Sequence, residues 1–441
     1  MVSPPQEDVT GNQWWTHYQP VSYQLSSQLG SEQEFTDMVS ACNAAGVQVI
    51  VDAVINHMAN SSGTGFGGST FTKYNYPGIY TSTDFHSGLP QNDANYCARS
   101  IRNYNDNWDA SHCELGGLPD LATEKPTVRE TIAAYLNHLL DLGVSGFRVD
   151  AAKHIGLTDL TAIHQMLNQV NGKAPYFLQE SIGNAAYNQP WTANGDVFAW
   201  DYQDEFMNMF SVNQKYLAKT SQRAAEIGNA DSTIIMVSNH DTEHHGPTAI
   251  TYMEPKKYLA ASAFLLADSL GKPMLYTGYA FDVTDQDSGP PTFNNGLVAP
   301  AVCPSGSKAN IPQKSYRDGM FICMDRWTGI KGMIAWHHAA GANPMTNLTY
   351  SKSVLSFNRG KAFFAVNANE TGKAGSLKVV KTGLPKGTYC DMVTGGAVAK
   401  GKVKGKLACL GTSIVVASNG TTKLSIPAMT SIAVTAATKL K

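Results

Sequence analysis

GFRVDAAKH, Gly146 to His154, is the stretch on which the reading of this chain turns. The run Val144 to Asp150 reads as a strand, and its period of two puts Arg148 and Asp150 on one face, opposite Phe147 and Val149. A charged pair aimed into an apolar interior is costly unless it is used, the alternative being a structural ion pair. Three other segments share the design of an apolar strand closing on polar residues: VDAVINH (Val51 to His57), YFLQE (Tyr176 to Glu180) and MVSNHD (Met236 to Asp241). Together the four supply three acidic side chains, Asp150, Glu180 and Asp241.

Around these segments, strand and helix signals alternate, the pattern of a parallel sheet with crossover helices. Val47 to Ile55 is nearly continuous in apolar residues, as expected of a strand buried on both faces. The stretch Met58 to Leu121, rich in Gly, Asn, Ser, Thr and aromatics, is too long for a structureless loop and reads as a small inserted domain. A helix is expected from Pro126, with Thr123 as its cap, Val128, Ile132, Tyr135 or Leu136, and Leu139 on one face, and Gly143 as its stop. Strands are expected at Pro175 to Glu180, Asp196 to Tyr202, Thr233 to Asn239 and Pro273 to Thr277. From Ala342 short alternating strands joined by Gly, Lys and Asn turns take over, among them Ala362 to Val366 and Ser413 to Ala417, and predict an all-β domain. The expected domains are therefore residues 1–57 and 122–341 for the main α/β body, 58–121 for the insertion and 342–441 for the β domain.

Net charge over the 441 residues is −2 with 15% charged residues, which gives no reason to expect nucleic acid or an anionic membrane as partner. No run of about 18 apolar residues is present to span a bilayer. The opening Met1-Val2-Ser3-Pro4-Pro5 lacks the basic and apolar regions of a secretory leader, so no signal peptide is expected in this chain. Six of the seven cysteines nevertheless fall into close pairs, Cys97 with Cys113, Cys303 with Cys323 and Cys390 with Cys409, the pattern of a secreted protein, six reduced core thiols being the alternative. The odd one, Cys42, sits on the stripe Phe35, Met38, Val39, Cys42 of a helix with a capping box at Ser31 and Glu34 and a stop at Gly46, where a buried inert thiol is expected. Asn60, Asn347, Asn369 and Asn419 head glycosylation triplets.

In their order, intervals and flanks, the four strand-end segments resemble the signatures of the α-amylase family, glycoside hydrolase family 13, and within it the animal-like and actinobacterial-like members. The resemblance runs over nearly the whole chain from Val2. It implies a TIM (β/α)8 barrel carrying the inserted domain, followed by a C-terminal antiparallel β-sandwich, and retaining endo-hydrolysis of α-1,4-glucosidic bonds in starch and glycogen. It further implies Asp150 as nucleophile, Glu180 as acid and then base, and Asp241 as the third carboxylate. Trp14, Trp15, Tyr18 and Gln19 in QWWTHYQP, with His57, Arg148, Lys153 and His240, are implied as substrate-binding residues. Calcium is implied at Asn56, Asp120 and the backbone carbonyls of Ser111 and His154, and chloride at Arg148, Asn239 and Arg326. A secreted monomer acting on polysaccharide completes the expectation.

Two departures qualify the match. The segment around Arg326 differs at Met324 and Asp325. Similar amylases carry a first strand and helix, and most of a second strand, ahead of the Ser3 to Gln6 segment, so the barrel is expected to lack its first strand. Two rival readings follow: a non-catalytic, truncated relative that at most binds glycan, and a relative that transfers glucosyl groups to sugars.

Overall fold

The computed structural model describes residues 1–211, 214–245, 249–282, 284–304 and 316–440. They pack as two compact units. The first comprises Met1–Gly183, Tyr187–Phe198 and Asp287–Pro300, and the second Asn184–Ala186, Ala199–Gln286 and Ala301–Lys441. This partition falls elsewhere than the expected boundaries at 57/58, 121/122 and 341/342.

In the first unit, strands Ile50–Ala53, Gly146–Val149, Tyr176–Gln179 and Asp196–Phe198 run parallel as successive neighbours. Gly146 is required by that pairing, because a Cβ there would lie 2.2 Å from the carbonyl oxygen of Tyr176. On the other edge of Ile50–Ala53, Val2 pairs in parallel, its N–H donating to Ile50 O at 2.9 Å and its carbonyl accepting from Asp52 N at 3.0 Å. The helix Pro126–Asp141 buries Val128, Ile132 and Leu139 as expected, together with both Tyr135 and Leu136, and Gly143 follows it with φ +97. Its cap differs from expectation. Proline at the first helical position leaves no N–H to satisfy there, the N-cap is Lys125, and the hydroxyl of Thr123 instead donates to Asp159 Oδ2 at 3.0 Å.

The helix Glu32–Ala44 has both halves of the Ser31/Glu34 capping box. Only Val39 of its stripe is fully buried. Phe35, Met38 and Cys42 are half-buried, so the Cys42 thiol is less enclosed than expected. Within 58–121 regular structure is sparse: a two-residue ladder pairing Gly63–Thr64 with Thr70–Phe71, and the helix Asn107–His112, secured by the Cys97–Cys113 disulfide. Tyr76, Tyr80 and Phe85 are fully buried there.

In the second unit, the strand expected to reach Tyr202 is absent beyond the helix start at Trp200, because Trp200–Ser211 turns the buried residues Tyr202, Phe206, Met209 and Phe210 onto one helical face. Strands Thr233–Met236 and Lys272–Met274 pair in parallel. The all-β region has a four-stranded antiparallel sheet, ordered Met345–Ser351, Val354–Arg359, Ala362–Asn367, Thr430–Thr435. One face of it (Leu355, Phe357, Phe364, Val366) joins the core of helices Pro255–Ala267 and Thr328–Ala340; the other (Val354, Phe363, Ala365, Val434) packs with Leu377, Tyr389, Ile414 and Leu424 of the second layer. That is a sandwich. Cys303–Cys323 and Cys390–Cys409 are both bonded in this unit. Among the described residues no helix is long and apolar enough to cross a membrane.

Arg359 joins the two kinds of structure. From the end of its strand the buried guanidinium donates to the carbonyls of Asp268 (2.7 Å) and Ala267 (3.3 Å) at the end of one helix, and to Gly341 and Asn343 (2.9 Å) at the end of the other. Helix C-termini present unsatisfied carbonyls and negative partial charge, so one cation serves two of them. Arg359→Met is expected to lower stability by roughly 3 kcal/mol, since buried carbonyls lose charged donors. A thermal melt superimposable on that of the parent would contradict this role.

Candidate active site

The first unit brings Arg148, Asp150 and Glu180 together, and adds a residue that was not foreseen. Asp52 lies in register with Arg148 on the neighbouring strand. Arg148 Nη1 donates to Asp52 Oδ1 and to Asp150 Oδ1, both at 2.7 Å, and Nη2 pairs with Glu180 Oε1 at 2.5 Å. All four residues are buried. The Tyr18 hydroxyl donates to the second oxygen of Asp52 at 2.8 Å. The second oxygen of Glu180 accepts from the N–H of Ala151 at 2.9 Å. That contact depends on a left-handed backbone at Ala151 (φ 48, ψ 35), directly after Asp150, a conformation costing an L-residue about 1 to 2 kcal/mol. The strain turns the chain so that an N–H points back at the carboxylate.

Burial pushes Asp150 well above the ordinary carboxylate range; Arg148 opposes the shift, and Glu180 and Asp52 add to it. Asp52 is raised for the same first reason. Burial works against the Arg148 cation, but the three carboxylates hold it firmly protonated. Three carboxylates facing one guanidinium, out of water, carry a net charge of about −2 if all ionise, so the cluster as a whole favours retaining a proton. Such a cluster can hold one carboxyl as a proton donor beside another that is an anion.

The aromatic segment lies in the same unit as a 3-10 turn, Trp14–Tyr18, with Trp14, Trp15, Tyr18 and Gln19 half-buried. Trp14 meets Tyr18 edge to face at 5.9 Å, and Gln19 Oε1 accepts from Asn60 N at 3.1 Å. His57 is buried and pushed down to about 4 by that burial, hence neutral at pH 7. Its Nε2 meets the carbonyl of Tyr18 at 3.0 Å; a carbonyl only accepts, so Nε2 carries the hydrogen and Nδ1 accepts from Asn56 Nδ2 at 3.3 Å. The same amide nitrogen donates to Asp120 Oδ1 at 3.2 Å, while His86 Nδ1 takes Asp120 Oδ2 at 2.6 Å. His154 Nδ1 donates to the carbonyl of Ala110, beside Ser111, at 2.7 Å. The four residues expected around calcium are thus linked two by two, Asn56 to Asp120 and His154 to the backbone adjoining Ser111. Lys153 donates to the Ile182 carbonyl at 3.0 Å and stands 5.0 Å above the Tyr187 ring.

The remaining expected residues belong to the second unit. Asn239 caps the helix His240–His244, its Oδ1 accepting from Thr242 N at 2.8 Å and from the Thr242 hydroxyl at 3.0 Å. Asp241 occupies the first turn and pairs with His245 at 3.2 Å. The ring of His240 lies 6.5 Å from that of Tyr276. Arg326 ends the 3-10 turn Met324–Arg326 with its side chain exposed. Glu243, one helical turn after Asn239, was also missed; it is buried, and its Oε2 has no hydrogen-bond partner among the described residues. Burial holds its carboxyl well above the usual range, against a backbone hydrogen bond from Tyr252.

A family model described as "Alpha amylase, catalytic domain" matches residues 3–353, and one described as "Alpha amylase, C-terminal all-beta domain" matches residues 348–437. The chain belongs to the α-amylase family. An alpha-amylase of Streptomyces violaceus is 38% identical over 394 residues, 89% of this chain and 63% of that protein. One of Tenebrio molitor is 35% identical over 446 residues, 96% of this chain and 88% of that protein. Among solved structures, wild-type alpha-amylase I of Eisenia fetida aligns with a TM-score of 0.81 and 30% identity, covering 98% of this chain and 91% of its own. A mutant of that protein, solved with maltohexaose, aligns at 0.79. The chain spans 63% of the length of the Streptomyces relative and of one from Thermomonospora curvata. The fold class is that of the family, a barrel-type α/β catalytic domain with a C-terminal all-β domain.

Glu243 yields a pH prediction. Its folded-state carboxyl titrates above its unfolded value, so the stability it contributes is full below about pH 4 and declines as pH rises, because the unfolded chain releases a proton that the folded chain keeps. Glu243→Gln does not titrate. The stability of this variant relative to the parent is therefore expected to improve from pH 4 to pH 8 in urea unfolding. A difference independent of pH would contradict the assignment.

Proposed function

We propose that this chain cleaves internal α-1,4-glucosidic bonds of starch and glycogen with retention of configuration. The observation that carries the reading is the grip of one guanidinium on both Asp150 and Glu180. Two carboxyls held at the two ends of a single fork are neighbours, which suits direct attack on the sugar; retaining sites need a separation of about 5 to 5.5 Å, and inverting sites a wider gap for water. The maltohexaose bound to the Eisenia relative is the type of substrate this implies.

In the mechanism so proposed, Asp150 attacks the anomeric carbon while Glu180 gives a proton to the departing glycosidic oxygen. Water then enters, Glu180 takes its proton, and the Asp150 ester is hydrolysed. Arg148 favours the anionic form of Asp150 against its burial and orients it for attack, and Asp52 with Tyr18 fixes Arg148. Asp241 and His240 are assigned to the hydroxyls of the reacting sugar, and His57, neutral, to a hydroxyl near the cleavage point. Trp14, Trp15 and Tyr18, half exposed, offer rings for stacking on glucose, with Gln19 and Lys153 at the margins.

Two ions belong to the proposal. Asn56, Asp120 and the carbonyls of Ser111 and His154 are hard oxygen donors of the kind calcium takes; the Asn56 amide would have to turn its oxygen, in place of its nitrogen, toward the ion. Calcium would supply structural cross-linking there. Asn239, with its oxygen spent on the helix cap, and the guanidiniums of Arg148 and Arg326 are donors suited to chloride, which would supply negative potential to the acid. The three disulfides fit an oxidising, extracellular location, and the chain is read as a monomer.

Glu180→Gln is expected to lower turnover of soluble starch at least about a hundredfold with substrate binding largely kept, since leaving-group protonation is lost. Turnover near that of the parent would exclude the assignment. Chelation of calcium is expected to lower the melting temperature and to expose 58–121 to protease, because an ion that binds only the folded state stabilises it. Chloride-free buffer is expected to reduce activity and move its pH profile toward acid. A melting curve indifferent to chelator, or activity indifferent to chloride, would remove the corresponding ion from the proposal.

A further inference from the structure

Charge in this chain is segregated by region. Residues 342–441 contain 14 of the 33 Lys and Arg but 2 of the 35 Asp and Glu, so this stretch carries +12 and the rest of the chain −14. Neither acid neutralises the domain's surface: Asp391 is fully buried, and Glu370 pairs with Lys257, outside the stretch. The one arginine, Arg359, is buried on helix ends. Of the 12 lysines among the described residues of the stretch, ten are exposed (352, 361, 373, 378, 381, 386, 402, 404, 406 and 423). Among the described residues none of these ten lies in an ion pair. An ordinary solvated surface intersperses both signs, whereas a one-sign surface of this size repels itself unless a counter-charge is supplied.

The hairpin Lys400–Val403/Lys406–Cys409 concentrates the pattern. Its register pairs Lys402 with Leu407 and Val403 with Lys406, so each face carries one lysine and one aliphatic side chain near the tip. All four are exposed, Val403 at 45% and Leu407 at 50%, which puts both faces in water. A bare two-stranded hairpin is marginal by itself, and this one is fastened at its base by the Cys390–Cys409 disulfide.

We propose that the all-β domain is a docking surface for an acidic polysaccharide, with the Lys400–Cys409 hairpin as its leading element. A flexible polyanion can follow lysines on both faces of a projecting hairpin and on the Lys378 and Lys423 strands, while a flat bilayer would meet one face only. Nucleic acid is less suited, because the surface offers no exposed arginine fork for phosphate and no exposed large aromatic ring among its apolar residues to stack a base. Lysines act as dispersed point charges, which matches a carboxylate repeated along a chain. The acidic remainder of the protein repels the same polymer, confining the contact to this domain.

The test measures binding of the whole chain to polygalacturonate, with neutral dextran, phosphatidylglycerol vesicles and duplex DNA as parallel probes. Polygalacturonate is expected to bind, with affinity falling at least tenfold between roughly 20 mM and roughly 300 mM salt, and neutral dextran is not. The variant combining Lys402→Glu, Lys404→Glu and Lys406→Glu is expected to bind polygalacturonate at least tenfold more weakly, with its melting temperature and its turnover of a short soluble maltooligosaccharide unchanged. Failure to bind polygalacturonate, equal binding of dextran, or binding of vesicles or DNA as tight as that of polygalacturonate would each overturn the proposal. Unweakened binding by the triple variant would overturn the role of the hairpin.

Discussion

Three buried carboxylates, Asp52, Asp150 and Glu180, share one guanidinium, and the site stands on that ratio. A single buried ion pair is weak evidence for stability, because desolvation offsets attraction, but removing one partner of such a pair costs about 3 to 5 kcal/mol. Here the guanidinium answers to three partners. Its planar fork can address two carboxylates with one nitrogen and a third with the other, a geometry an ammonium does not have. The parallel register that sets Asp52 beside Arg148, and the left-handed turn at Ala151 that aims an N–H at Glu180, are backbone features serving that one cation.

What was legible in the sequence was the set of strand ends. Apolar runs terminating in Asp, Glu, His and Asn stand out against the aliphatic strands that carry them, and each of the four segments is a strand, or the start of a capped helix, where it was expected. Asp52 escaped notice because it sits inside VDAVINH rather than at its end. The available signal was the same one that exposed Arg148, a charge in a strand otherwise buried on both faces. Glu243 was hidden differently, since an acid two residues after Asp241 in a polar helix looks like an exposed one until packing shows it enclosed. The strand expected from Asp196 to Tyr202 forms but stops at Phe198, because Tyr202, Phe206, Met209 and Phe210 recur at helical spacing.

Whole-chain charge is an average. A net of −2 is the near-cancellation of +12 over residues 342–441 and −14 over the rest, so it describes neither part. The same domain shows why period-two reading loses sharpness in a sandwich: Val354–Arg359 and Ala362–Asn367 are buried at every position, one face toward helices and the other toward the second layer. Arg359 could not be distinguished from a surface arginine by sequence, because its partners are backbone carbonyls at the ends of two distant helices.

The measurement that bears most directly on this account is steady-state turnover of soluble starch by Arg148→Lys, with its thermal melt as control. Lysine keeps the positive charge among the carboxylates but cannot hold Asp52, Asp150 and Glu180 together. The expected result is a cooperative melt with turnover reduced at least about a hundredfold, the scale associated with misplacing reacting groups by about an ångström. Turnover within about twofold of the parent would contradict the claim that the geometry of the guanidinium, beyond its charge, builds the site.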